Sequence, residues 1–219
     1  MKDYKTLISE LSSGLAPVAP PRNIDLIALV WFLLSTLFVV VVTLLIDPIR
    51  PGALMQLASK PRFLLETMLG VAAILWISLA AFRSAIPGAL TGRFATIGLF
   101  LIALWLIQYL IGLISPALEP STLGARHHCW LEAMIYSLPV IVAGLFIVHR
   151  NYPLRPVRAG MFVGLVAGLL PALFMQLACM YVPLHIIMFH IMPGLLMAAV
   201  SVGIAAWWHA HSRGKGIAD

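Results

Sequence analysis

Cys129 and Cys179 are the only two cysteines in 219 residues, and each has imidazoles close by in the chain. His127, His128 and Glu132 flank the first, and His185 and His190 follow the second. Two thiols brought together in an oxidising compartment form a disulfide. Thiolate combined with imidazole also suits a soft or borderline ion, so zinc, copper or cadmium fits at the cysteine pair, although no cofactor is required by the residues themselves. Cys129 and Glu132 are three apart on one helical face, and His128 stands four before Glu132. There is no CxxC or HExxH spacing, so any site has to draw its ligands from different helices. A plainer reading stands beside this one: free cysteines are often small apolar fillers, His127 and His128 suit an interfacial loop, and a single interhelical hydrogen bond accounts for His190.

What positions these residues follows from composition. With 62% apolar and 10% charged residues the chain lies far outside the soluble range. A helix needs about 20 apolar residues to cross the roughly 30 Å hydrocarbon core, and six such runs lie near 26–46, 63–82, 95–115, 131–148, 159–181 and 185–208. The segments between them are rich in Pro, Gly or charge, as loops are, and the last is the tight "YVPL" turn. The expected fold is an all-α integral membrane protein with six transmembrane helices. Its parts are a 1–25 tail, a 26–208 membrane domain and a 209–219 C-terminal tail. The tail ahead of the first run is polar and broken by proline, so no cleavable signal peptide is expected.

Ten of the 14 lysines and arginines fall on the side of the two termini, leaving Arg50, Lys60, Arg62 and Arg126 opposite. The positive-inside rule therefore puts both ends in the cytoplasm. The same bias accounts for the net charge of +6 without any nucleic-acid binding. In this topology Leu154, in the loop between the fourth and fifth runs, is equidistant in sequence from Cys129 and Cys179. Equal climbs along two antiparallel helices, at about 1.5 Å per residue, place both thiols at one level near the outer surface, where Glu66 also falls. Gly160, Gly164 and Gly168 form a small-xxx-small repeat expected to pack helices closely. Trp130, Tyr181, Trp207 and Trp208 read as interfacial belt residues, and Pro139, Pro171 and Pro193 as kinks.

The tail, "MKDYKTLISELSSGLAPVAPPRN", spaces Leu7, Leu11 and Leu15 every four residues with Ile8 alongside, which predicts a short amphipathic helix stopped by "APVAPP". So short a helix is marginal alone and must find apolar surface, either a partner's groove or the bilayer face.

The "LISELSSGLAPV" tail, the six helices, "CWLE" opening the fourth and "ACMYVPLHIIMFHIMPGLL" across the last hairpin resemble the negative regulator of sigma F family of bacterial membrane anti-sigma factors. The resemblance spans nearly the whole chain. It implies an inner-membrane protein whose tail, from Leu7 to Val18, sequesters an extracytoplasmic-function sigma factor. It further implies that Cys129 and Cys179 are sensing thiols that respond to oxidants or heavy metals outside. One departure is visible: Met180, Tyr181 and Val182 follow Cys179, where the family pattern leads one to expect small or acidic residues such as Pro and Asp. Two other classes share these features, a membrane thiol-redox enzyme and a metal transporter subunit. The first usually wants a closely spaced reactive pair, and the second an inverted repeat or a file of intramembrane charges, neither of which is present.

Overall fold

Prolines and side-chain caps set where the helices begin. Pro61, Pro156 and Pro183 each occupy a first-turn position, where the missing N–H costs nothing. Asn23 and Thr91 instead accept the orphan N–H groups of Leu26 and Phe94, each at 3.2 Å. The computed structural model describes residues 4–13, 23–151 and 153–215. Its helices are α1 (Tyr4–Ser13), α2 (Ile24–Ile46), α3 (Ala53–Ser59), α4 (Pro61–Arg83), α5 (Gly92–Gly112), α6 (Cys129–His149), α7 (Pro156–Ala178) and α8 (Pro183–Ile186). A π-helical turn, Ile187–Ile191, then leads into α9 (Met192–Lys215).

Among the described residues six helices are long and apolar enough to cross a membrane: α2, α4, α5, α6, α7 and the continuous stretch Pro183–His211. The six expected runs are thus all present, and among the described residues there is no strand. Leu33, Leu37, Val41 and Leu45 on α2 are exposed, as befits side chains whose solvent is lipid. The first interhelical segment, expected as a loop, contains α3. "ALMQLAS" is apolar enough to fold as two turns against α4, although far too short to span.

Helix α7 occupies the centre, packed on α9, α6, α4 and α2, while α5 lies on the outer side of α4. The expected small-residue stripe is the reason α7 and α9 meet so closely. A Cβ added at Gly160 would lie 2.6 Å from the Ala205 methyl, and one at Gly164 2.7 Å from the Ala198 Cα. At Gly168 it would strike the Gly194 carbonyl, with the carbonyl carbon only 2.8 Å away. Pro139 and Pro171 lie inside continuous helices. Pro193, the second residue of α9, supplies a cause for the π turn: its ring excludes the ordinary bond to the Phe189 carbonyl, and the chain widens instead, with Met192 N–H bonding back to Ile187.

Helix α1 carries the predicted stripe. Leu7, Ile8 and Leu11 are 44%, 65% and 67% exposed, and Leu15 and Val18 lie outside the described residues.

Candidate metal and thiol centre

The two thiols meet. Cys129 is the first residue of α6 and Cys179 caps the end of α7, its N–H bonded to Met175 at 2.8 Å. Both are buried and unlinked. The His185 Nε2 atom lies between them, 3.3 Å from the Cys129 Sγ and 3.6 Å from the Cys179 Sγ. With His190 they form a cluster of four ligand atoms, all within 4.8 Å of one another. Among the described residues this is the only group of its kind. The Cys129 thiol first, and then the His185 imidazole, hold the Cys179 thiol well below the usual cysteine range, against the opposing effect of burial.

The π turn is what puts both imidazoles on one side. Residues five apart on an α-helix point about 140° away from each other, whereas a π turn, which closes from i to i+5, returns them to a common face. The His185 and His190 rings accordingly stand edge to face with centroids 5.0 Å apart. His190 is fully buried, and neither of its ring nitrogens has a hydrogen-bond partner. The half-buried His185 forms the accessible side of the cluster.

Three sequence candidates lie elsewhere. His127 and His128 are exposed and outside the cluster, because they precede α6 and the helix turns its first residue, not the loop, towards α7. Glu132 does not join the thiols: its Oε2 atom accepts from Arg126 Nη1 at 2.7 Å and from the Tyr136 hydroxyl at 3.3 Å. Tyr181, expected in an interfacial belt, is buried. Its hydroxyl donates to Glu66 at 3.1 Å and its backbone carbonyl accepts from Ser121 N–H at 3.0 Å. Burial, reinforced by the neighbouring Glu66 carboxylate, pushes the Tyr181 hydroxyl up and keeps it a donor. Gly124 (φ +79°) lies against Arg50, where a Cβ added to it would fall 2.9 Å from the Arg50 side chain.

Arg126 was visible in the sequence only as one of four outer charges. Here it is buried and ties helix ends together. Besides Glu132 in the first turn of α6, its Nη2 donates to the carbonyls of Thr43 at 3.2 Å, Asp47, and Pro48 at 3.4 Å, and its Nε stands 3.9 Å from the Asp47 carboxylate. Thr43 lies in the last turn of α2, its carbonyl also accepting from Asp47 N–H at 3.2 Å, and Asp47 and Pro48 follow directly after the helix. A charged fork that satisfies several at once while paired to a carboxylate is a strong, directional link.

The family model described as negative regulator of sigma F matches residues 11–209 of this chain. No curated protein and no solved structure matches it.

Proposed function

The chain belongs to the negative regulator of sigma F family, and from that premise we propose that it is an inner-membrane anti-sigma factor for an extracytoplasmic-function sigma factor, released when the Cys129–Cys179 pair meets a heavy metal or an oxidant. Both termini lie in the cytoplasm, so the tail and its α1 helix reach the sigma factor while the thiols face the opposite compartment. The observation that carries this reading is the pair itself: two buried, unlinked thiols from separate helices, held around one imidazole. A ligand or bond made there changes how the ends of α6 and α7 pack, and such a change is the kind a two-state helix bundle transmits.

The route to the tail runs through Arg126. Cys129 opens α6, Glu132 stands one turn further on, and Arg126 joins Glu132 to the outer end of α2. The inner end of α2 is tied by Asp25, whose carboxylate accepts two bonds from Arg83 at 2.8 and 2.7 Å. Between these ties α2 is only loosely seated on α6, across an apolar groove of about 480 Å³ lined by Leu26, Val30, Leu34, Pro139 and Ala143. On its other side α2 rests on α4, where the Ser78 hydroxyl donates to the Ala28 carbonyl at 3.3 Å and Trp31 packs on Phe82, so a shift at its outer end reaches the tail, its continuation in the chain, through the helix itself.

The test is co-purification of the sigma factor with the full chain, with a truncated chain that begins at Asn23, and with the Cys129→Ser, Cys179→Ser double variant. Removing the tail is expected to abolish capture. The double variant is expected to capture normally but to hold the sigma factor when cadmium or a thiol oxidant is added. Capture without the tail, or normal release by the double variant, would refute the reading. Arg126→Lys keeps the charge but loses the fork. It is expected to leave capture intact and to weaken inducer-dependent release by roughly 5- to 150-fold, the span of a coupling of about 1–3 kcal/mol. Release equal to the unaltered chain, measured on the same preparation, would remove Arg126 from the route.

A further inference from the structure

Four features of the cluster bear on what it binds. The first is His190, fully buried with both ring nitrogens unpartnered, a deficit that coordination through one nitrogen largely removes. The second is distance. Zinc bonds of about 2.3 Å to sulfur and 2.0–2.1 Å to nitrogen give tetrahedral edges of roughly 3.3–3.8 Å. The two edges from His185, 3.3 and 3.6 Å, already have that length, and the longest separation in the set, at most 4.8 Å, has about an ångström to close. The third is charge. Two thiolates and two neutral imidazoles around a divalent ion sum to zero, as in a zinc site of two cysteines and two histidines. The fourth is closure: with Glu132 engaged by Arg126 and His127 and His128 turned to solvent, the donors number four, the count of a holding site.

We propose that Cys129, Cys179, His185 and His190 are the complete ligand set of one closed, tetrahedral site for a divalent d10 ion, zinc or cadmium. This rests on the reading of the cysteine pair as the sensing element, and adds that both histidines are ligands and that the π turn exists to deliver them. Binding exchanges the ion's waters for two sulfurs and two nitrogens and sends the thiol protons to solvent; no electron is transferred.

The purified full-length protein in detergent is titrated with cadmium, followed by thiolate-to-cadmium charge-transfer absorbance, and with cobalt, whose visible bands report tetrahedral geometry. One ion per chain is expected. His190→Asn and His185→Asn, accepted only when they elute as the unaltered protein does on size exclusion, are expected to weaken cadmium binding by about a hundredfold or more and to abolish the tetrahedral cobalt spectrum. That loss matches or exceeds the 10- to 100-fold typical of groups that merely support a ligand. His127→Ala and His128→Ala are expected to bind as the unaltered chain does. Cadmium affinity within tenfold of the unaltered protein in both histidine variants, or an unchanged cobalt spectrum, would overturn the four-ligand site. The titration contains no sigma factor. Metal bound as expected by a chain that fails to release its sigma factor would therefore count against the regulatory reading alone.

Discussion

Gly168→Val is expected to prevent the bundle from assembling in its present packing. The Cβ alone would overlap the Gly194 carbonyl, and the reciprocal substitution would bring a Cβ within 2.5 Å of the Gly168 oxygen. Overpacking a core usually costs about 1–3 kcal/mol because side chains rotate away. Here the obstacle on each side is backbone, so α7 and α9 would have to separate along their whole contact, and a loss at or above the top of that range follows. Gly203→Val is the control, since nothing lies within 4 Å of a Cβ there and it shares α9. Thermal unfolding of both variants in detergent, read by size exclusion after heating, compares them directly. Equal midpoints for the two valines would show that the α7–α9 contact is not as tight as described.

Replacing Leu7 and Leu11 together with aspartate is expected to free the sigma factor while the membrane domain still inserts. Both side chains are exposed on α1 and share its apolar stripe with Ile8, so they are available to a partner and contribute little to the bundle. Two anchors of this kind, truncated and replaced by carboxylates that a docking groove cannot pair, cost about 3 kcal/mol or more of binding, which is roughly a hundredfold in affinity. The check is sigma-factor binding to the full-length double variant in lipid nanodiscs, alongside its yield in the membrane fraction. Undiminished binding by a normally inserted variant would place the docking element elsewhere in the chain.

How much of this was legible in the chain depended on whether a feature is local. The six spans could be read from length and hydropathy because lipid imposes one rule on every residue of a span. The meeting of Cys129 with Cys179 could be anticipated because an antiparallel hairpin converts equal counts from its turn into equal height. His190 was noticeable as an imidazole inside an apolar helix, but its pairing with His185 was not, since α-helical geometry sends residues five apart in different directions. Only the widening forced at Pro193 reconciles them. Tyr181 was misplaced, and the role of Arg126 missed, for a related reason. A loop arginine and an aromatic near a helix end look like membrane-surface residues by position. Their burial comes from α2 carbonyls and a Glu66 carboxylate that are distant in the chain.

The backbone contact between Gly168 and Gly194 has a mechanical consequence. Where two helices touch through main chain there is no layer of side chains left to compress or re-rotamerise, so this joint yields little. Cys179 stands at the end of one of its members and His190 just before the start of the other. Those two cluster residues are therefore attached to a fixed frame, whereas Cys129 sits on α6. On the route proposed above, a pull within the cluster would act as on a lever, with its fulcrum in the α7–α9 hairpin and its load passed along α6 and through Arg126 to α2.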